Sequence, residues 1–165
     1  PARSRASSQE LPETVIHLIL FRPEIPQNTG NVGRLCAYAG CRLHLIKPYG
    51  FEIDDKRLRR AGMDYWPAVD LREHADWDAF IASADRPQRI HLFSTKAERE
   101  LWETEFKEGD GLLFGNEGAG LPAEIHQWAG PSRVRIPQFQ DDLRSLNLST
   151  AAAVATYEAL RQVRQ

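Results

Sequence analysis

Short apolar stretches alternate with segments of helical periodicity along this chain, and this alternation constrains the fold more than any other feature. The apolar stretches predict strands at residues 15–21, 43–46, 89–93, 111–114 and 134–136. Helical patterns fall at residues 28–39, 54–61, 76–84 and 97–103 and in a segment that begins near Pro122. The alternation predicts an α/β fold, built on a mostly parallel sheet with helices on both faces.

A last helix is predicted over residues 147–163. Its apolar side chains recur every three or four residues and form one continuous stripe, made of Leu148, Ala152, Ala155, Ala159 and Val163. Further small side chains widen the stripe in the first half of the helix, so we expect it to be covered on more than one side. Two interpretations stay open: a helix packed wholly inside one chain, or one whose outer surface forms a dimer interface.

Length and composition predict one globular domain over residues 14–165, preceded by a disordered N-terminal arm over residues 1–13. The chain has 165 residues, 42% hydrophobic and 27% charged, which are globular values. It contains no apolar run near the roughly 20 residues that span a bilayer and begins without the apolar stretch of a signal peptide. We therefore expect a cytoplasmic protein without a membrane partner. Cys36 and Cys41 are expected to be buried free thiols.

Three polar turns rich in glycine or asparagine lie at predicted strand–helix junctions, at residues 26–34, 115–122 and 145–150. Backbone N–H and C=O groups exposed at such junctions can hold a small polar ligand. One turn of this kind is ordinary, but three that carry asparagine, arginine, glutamate and serine predict a site.

Several familiar signatures are missing from the sequence. Neither the phosphate-binding pattern Gly-x-x-x-x-Gly-Lys-Ser/Thr nor the dinucleotide pattern Gly-x-Gly-x-x-Gly occurs, although residues 115–120 contain three glycines. The sequence also lacks His-Glu-x-x-His, clustered Cys/His residues and the nucleophile elbow Gly-x-Ser-x-Gly. We therefore expect no dedicated metal site, and we interpret His17, His44 and His91, inside predicted strands, as structural residues.

A run of cations at Lys56, Arg57, Arg59 and Arg60 has two interpretations. It could be a solvated helix face paired with nearby aspartates, or a local surface for nucleic-acid phosphates. The formal net charge of −2 argues against binding nucleic acid through overall charge, but it does not exclude a local basic surface.

The three turns, in this order, resemble the signature motifs of the SPOUT superfamily of RNA methyltransferases, and the resemblance covers nearly all of the chain beyond residue 14. The first motif carries an asparagine and an arginine six positions apart, as Asn28 and Arg34 are here. The second matches Gly115-Asn-Glu117-Gly118-Ala-Gly120-Leu121, and the third matches Ser145-Leu146-Asn147-Leu148-Ser149. Residues 23–31 and 54–62 point to the small single-domain enzymes that methylate the 2′-hydroxyl of the tRNA wobble nucleotide.

This resemblance implies a C-terminal deep trefoil knot, with S-adenosylmethionine bound in the knotted loops and the site completed by a second subunit of a homodimer. Physical principles alone would argue against a threaded chain, so the knot rests on the resemblance. The cofactor-binding residues it implies are Phe93, Ser94, Thr95, Gly115, Glu117, Ile136, Ser145 and Leu146.

The catalytic residues implied by the resemblance are Arg34, Ser145, Asn147, Asn28 and Glu117. A guanidinium has no acceptor lone pair. We therefore assign Arg34 to binding the phosphate and stabilising the developing alkoxide. Ser145 or a water would relay the proton, the two asparagines would orient the ribose, phosphate or backbone, and Glu117 would offset the sulfonium charge or fix its loop. Four of them also have simpler interpretations: Asn28 and Asn147 could be helix caps, Ser145 a turn residue and Glu117 a charge at a helix N-terminus.

The implied partner is a tRNA anticodon stem–loop. For the subgroup of small wobble-nucleotide enzymes, the implied tRNAs are leucine acceptors with cytidine or a modified uridine at the wobble position. We expect its contacts among the cations and aromatic side chains near the turns and the basic run. These RNA-binding candidates are Arg22, Lys56, Arg57, Arg59, Arg60, Tyr65 or Trp66, and Arg144. Two alternatives are another RNA substrate, such as ribosomal RNA, and an RNA-binding module that has lost catalysis; the presence of Arg34, Glu117 and Asn147 argues against the second.

Overall fold

A six-stranded sheet, parallel at every strand pair, forms the centre of the molecule in a computed structural model that describes residues 16–54, 56 and 64–164. The strand order is β3-β2-β1-β5-β4-β6. The strands are β1 (His17–Phe21), β2 (Arg42–Ile46), β3 (Asp70–His74), β4 (Ile90–Phe93), β5 (Gly111–Phe114) and β6 (Arg133–Val134). The predicted α/β fold with a mostly parallel sheet is confirmed.

In the described residues, four α-helices and two short 3₁₀ helices accompany these strands. The α-helices are α1 (Pro26–Ala39), α2 (Trp77–Ala82), α3 (Ala123–Ala129) and α4 (Leu148–Val163), and the 3₁₀ helices are Trp66–Ala68 and Leu101–Glu103. Side chains that alternate along the strands face two separate apolar clusters. Leu18 and Leu20 of β1 belong to the cluster that includes α1 and α4, whereas Ile19 and Phe21 belong to the cluster that includes α2 and α3. Helices therefore cover both faces of the sheet.

Helix α4 packs as its stripe predicts. Ala152, Ala155 and Ala159 are fully buried in the same cluster as Val32 and Cys36 of α1. Because these three side chains are small, the two helices can lie close together against the sheet. Val154 and Tyr157 on the outer surface of α4 are 41% and 49% exposed.

Residues 97–103, predicted as a helix, instead pair with the end of the sheet, and that prediction is wrong. The backbone N–H of Leu101 donates to the carbonyl of Arg135, and the N–H of Arg135 donates to the carbonyl of Arg99, both at 2.8 Å. This pairing uses backbone groups that a helix would need, so only the turn Leu101–Glu103 is helical. The strand predicted at residues 134–136 is correspondingly shorter, since β6 ends at Val134 and Arg135 forms only an isolated bridge with Glu100.

Strand β3 was missed by the sequence analysis. Its sequence, Asp-Leu-Arg-Glu-His, is largely charged, and it forms an edge of the sheet. Arg72 lies within 2.6 Å of Asp70 and 3.2 Å of Asp85, while Arg42 on the neighbouring strand lies 3.0 Å from Asp70. Cross-strand and loop ion pairs thus accompany this strand in place of an apolar pattern.

Three buried histidines form a hydrogen-bonded chain across β1, β2 and β3. His17 Nδ1 lies 2.8 Å from His44 Nε2, and His44 Nδ1 lies 2.9 Å from His74 Nε2. Burial lowers the pKa of His17 to about 4 and that of His44 to about 3, and it also lowers the pKa of His74. All three rings are therefore neutral at pH 7, as expected for structural histidines.

We expect the protein to lose stability in mild acid because of this chain. In the unfolded chain each histidine titrates near pH 6.5, so unfolding takes up protons between about pH 6.5 and pH 4. The free energy of unfolding therefore falls with pH across that window, by about 1.4 kcal/mol per pH unit for each proton taken up. Urea unfolding at pH 7 and pH 4.5 measures this loss. His44→Gln should reduce it, whereas His126→Gln, outside the chain of rings, should leave most of it; equal stability at both pH values would contradict the assignment.

Cys36 and Cys41 are buried free thiols, as predicted. Within the described ranges no helix is long and apolar enough to span a bilayer, and no cluster of potential metal ligands occurs there. The predicted N-terminal arm and most of the predicted helix at residues 54–61 lie outside the described residues.

Candidate functional site

The predicted cofactor-binding residues follow neighbouring strands at one edge of the sheet. Phe93 ends β4, with Ser94 and Thr95 next in the chain, Gly115 follows β5, and Ile136 lies two residues after β6. Since these strands are parallel neighbours, their carboxyl ends meet at the same edge, where ligands of open α/β sheets bind. The structure thus gathers these segments along one edge.

The turn after β5 is narrow, because the backbones of Gly115 and Gly120 lie in close contact across it. The N–H of Asn116 donates to the Gly120 carbonyl at 3.0 Å, and the N–H of Gly120 donates to the Asn116 carbonyl at 2.8 Å. A Cβ atom on Gly115 would lie 2.5 Å from the Gly120 carbonyl carbon, so a side chain at this position would force the turn open. Glycine is therefore required at residue 115 for the two sides of the turn to approach each other.

Glu117 joins this turn to the start of α1. Its carboxylate accepts hydrogen bonds from the backbone N–H groups of Glu24, at 3.2 and 3.3 Å, and of Ile25. Ile25 is the N-cap residue of α1 and makes no side-chain cap hydrogen bond. The carboxylate thus provides an anion just before the helix N-terminus, where negative charge is stabilising, and it holds the second motif against the first.

Glu117→Ala is expected to lower the free energy of unfolding by about 1 to 2 kcal/mol, because the two backbone donors lose a charged acceptor. Glu117→Gln keeps one oxygen acceptor and should lose less. Urea unfolding measures both changes, and Glu124→Ala, an exposed glutamate in the first turn of α3, is the control. Unchanged stability of Glu117→Ala would show that this contact does not hold the turn.

Asn28 and Asn147 connect the first and third motifs. The Asn147 side-chain amide donates to Asn28 Oδ1 at 3.0 Å. Its oxygen accepts from the backbone N–H groups of Ser149 and Thr150, at 2.9 and 3.4 Å, so Asn147 is the N-cap of α4. Asn28, by contrast, is 95% buried in the first turns of α1, which begins at Pro26 rather than at the predicted residue 28. The cap interpretation therefore holds for Asn147 and is wrong for Asn28.

Arg34 lies on the exposed surface of α1, beside Tyr65. Its guanidinium carbon is 5.9 Å from the centre of the Tyr65 ring, within range of a cation–π interaction. The Tyr65 hydroxyl donates to the Gly30 carbonyl at 2.6 Å. Burial raises the pKa of Tyr65, so the hydroxyl keeps the proton that this bond requires. The ring is therefore fixed relative to α1 and to Arg34.

Trp66 cannot stack on an RNA base, and that alternative is wrong. The side chain is 8% exposed and lies directly over Gly33 of α1, where an added Cβ atom would be 2.5 Å from its ring. The indole ring of Trp66 thus fills the space that a side chain at residue 33 would occupy.

The remaining RNA-binding candidates are spread over several segments. Arg22, Lys56 and Arg144 are exposed, whereas Arg57, Arg59 and Arg60 lie outside the described residues. Ser145 and Leu146 are also exposed, in the segment that leads into α4. The assigned roles of these residues stay predictions.

Asn116 was missed as a site residue. Its side-chain amide donates to the Arg22 carbonyl at 2.6 Å, and its oxygen accepts from the N–H groups of Gly118 and Ala119 at 2.9 Å. Arg22 has a φ of 48°, and it is the one non-glycine residue with positive φ in the part of the chain that the structure describes. The asparagine before a glycine-rich stretch, a common turn signal, could have identified this residue.

The family model for the SpoU rRNA methylase family matches residues 15–157. These bounds include all three turns and every strand and helix described above except the end of α4. This chain belongs to the SpoU methylase family. The site at the carboxyl ends of β4, β5 and β6 is therefore a feature of an SpoU methylase, as are the contacts that Glu117 and Asn147 make between the motifs.

Curated relatives and solved structures resemble this SpoU methylase over most of its length. The tRNA (cytidine(34)-2′-O)-methyltransferase of Saccharophagus degradans is 51% identical, over 90% of this chain and 96% of that relative. The enzyme of the same name from Escherichia coli is 46% identical, over 90% and 94%. A solved structure concerned with 2-OH methylation of C/U34 on tRNA is 50% identical, with a TM-score of 0.81 over 89% of this chain and 95% of the other.

Proposed function

We propose that this SpoU methylase transfers a methyl group from S-adenosylmethionine to the ribose 2′-hydroxyl of the wobble nucleotide of tRNA. The observation that carries the proposal is its 46–51% identity, over nine-tenths of the chain, to relatives named for this reaction at cytidine 34. The arrangement of the three motifs supports it, because Glu117 and Asn147 each tie one motif to the first.

The donor site that we propose lies at the carboxyl ends of β4, β5 and β6. The turn at Gly115 follows β5 there, and Leu143 and Leu146 are 65% and 51% exposed in the segment that precedes α4. Exposed apolar side chains beside polar backbone suit the adenosyl part of the donor. The donor, once bound, supplies an electrophilic methyl group on a sulfonium, and this transfer requires no metal.

Arg34 would act on the RNA, and the two asparagines would orient a segment of the site. As the 2′-hydroxyl loses its proton, negative charge develops on the oxygen, and a guanidinium positioned there stabilises that charge. Ser145 or a water would accept the proton, since the guanidinium has no lone pair for it. Asn28 and Asn147 are held together at 3.0 Å, and this contact would orient the segment that enters α4.

We further propose that a homodimer completes the site and that the substrates are leucine tRNAs with cytidine or a modified uridine at the wobble position. Exposed apolar side chains on the outer surface of α4 support dimerisation: Tyr157 is 49% exposed and Val154 41%. A second subunit would also enlarge the cationic surface available to tRNA. A tRNA substrate agrees with the cytoplasmic location expected from the sequence.

Two synthetic anticodon stem–loops test the substrate position directly. One carries cytidine at the wobble position, and the other is identical except for 2′-deoxycytidine at that nucleotide. We expect transfer of labelled methyl to the first and none to the second, because only one hydroxyl differs. Equal labelling of both RNAs would place the methyl group elsewhere.

Ribosomal RNA is the second candidate substrate. It is favoured by the description of the matched family, SpoU rRNA methylases, and by 26% identity to an rRNA methyltransferase from Sinorhizobium meliloti with bound AdoMet, with a TM-score of 0.77. That match covers 92% of this chain but only 57% of the other. Labelling of ribosomal RNA with no labelling of either stem–loop would favour this candidate.

A further inference from the structure

A cavity of about 450 Å³ opens on the exposed surface of α1, beside Arg34. Its lining residues are Asn31, Arg34, Leu35, Ala37, Tyr38 and Tyr65. This volume falls within the range of small-molecule sites, so the cavity can accept a group of the size of a nucleobase.

The walls of the cavity combine one cation, one amide, two aromatic rings and two apolar side chains. Asn31, Leu35 and Tyr38 are spaced by four and three residues, so they lie on one face of α1 with Arg34. Tyr65 closes the opposite side, and its position is fixed by the 2.6 Å hydrogen bond to Gly30 and by the nearby guanidinium. Among the described residues, Arg34 is the one charged residue that lines the cavity, and no carboxylate lines it.

We propose that this cavity receives the base of the nucleotide whose ribose is methylated. This inference rests on the proposed function and names the subsite that holds the target base. Single-stranded RNA is recognised mainly by stacking of unpaired bases on aromatic rings and by hydrogen bonds to their edges. Tyr65 supplies the ring and Asn31 the polar group. Since a ribose is bonded directly to its base, a base in this cavity brings the ribose and its phosphate to the guanidinium at the rim.

Asn31 gives the cavity a means of accepting both pyrimidines. A carboxamide carries a donor and an acceptor that exchange places when the group rotates by half a turn. In one orientation it accepts from the exocyclic amine of cytosine and donates to the ring nitrogen. In the other it matches the ring N–H and the carbonyl of uracil. One asparagine therefore pairs with either base.

The test uses two stem–loops that both carry the wobble 2′-hydroxyl, one with cytosine and the other with an abasic ribose at that position. For the unsubstituted protein, kcat/KM should be roughly 10-fold to 100-fold higher with cytosine, the range expected for stacking and hydrogen bonding of one base. Asn31→Ala should lower this ratio by about 5-fold to 10-fold, because activity on the cytosine RNA loses the hydrogen bonds to the base while stacking on Tyr65 remains. Gln127→Ala, which truncates an exposed amide on α3, is the matched control and should keep the ratio.

Donor affinity and the melting temperature of Asn31→Ala should stay unchanged, which separates a base contact from a structural role. An undiminished ratio in Asn31→Ala, with the cytosine RNA still methylated, would overturn the cavity assignment and leave the proposed function intact. Equal loss of activity on both RNAs would likewise overturn it. No methylation of the cytosine RNA by the unsubstituted protein would overturn the proposed function and this inference together.

Discussion

Arg34→Ala is expected to lower kcat/KM for methyl transfer by about 100-fold to 1000-fold, while the affinity for S-adenosylmethionine changes little. The loss has the size found when one donor to a developing oxyanion is removed. Arg34 is exposed on α1, its guanidinium lies over the Tyr65 ring, and it is not among the predicted donor-binding residues, so the donor should still bind. Steady-state kinetics with an anticodon stem–loop and calorimetric titration with the donor measure the two quantities.

Two further variants define the origin of this effect. Arg34→Lys keeps the charge but not the planar pair of donors, so we expect an intermediate loss. Arg86→Ala is the control. It removes an arginine from the segment before β4, at the amino ends of the strands, whereas the proposed donor site lies at their carboxyl ends. Its kcat/KM should equal that of the unsubstituted protein. Normal turnover in Arg34→Ala would contradict the role assigned to this residue.

Asn147→Ala is expected both to destabilise the protein and to remove methyl transfer. The loss of an N-cap costs about 1 to 2 kcal/mol, and this substitution also removes the hydrogen bond to Asn28. The start of α4 and the preceding segment, with Ser145 and Leu146, would then no longer be held against α1. Thermal unfolding and methyl transfer below the transition temperature measure the two losses separately.

Substitutions of Asn28 separate the link between the motifs from the helix cap. Asn28→Ala breaks the link but keeps the Asn147 cap, so we expect a smaller loss of stability with a comparable loss of transfer. Asn28→Asp retains an oxygen acceptor for the Asn147 amide and should preserve more activity than Asn28→Ala. If Asn28→Ala were as active as the unsubstituted protein, the link between the motifs would have no role in the reaction.

The parts of the fold that the sequence predicts correctly are those with local signals. β1 and β5 are apolar on both faces because helices cover both sides of the sheet, and α4 shows its buried stripe in the spacing of its alanines. β3 gave no such signal, because it lies at an edge and its charged side chains form ion pairs. Residues 97–103 are rich in helix formers, but pairing with Arg135 overrides that preference.

The candidate site shows the same division. Glycine and asparagine identify the three turns, because few other residues adopt such conformations or cap helices. The contacts between the turns could not be predicted, because they join residues far apart in the chain. Glu117 lies 92 positions from Ile25, and Asn147 lies 119 positions from Asn28. The burial of Trp66 depends on the missing side chain of Gly33, a contact that also follows only from the tertiary structure.

Methyl transfer to total tRNA from a strain that lacks this protein tests the central proposal most directly. The RNA is incubated with labelled S-adenosylmethionine and the protein, digested with nuclease, and mapped by mass spectrometry. We expect a single new 2′-O-methyl group at the wobble nucleotide, in leucine acceptors with cytidine or a modified uridine there. Transfer to another nucleotide, or donor binding without transfer to tRNA, would contradict it.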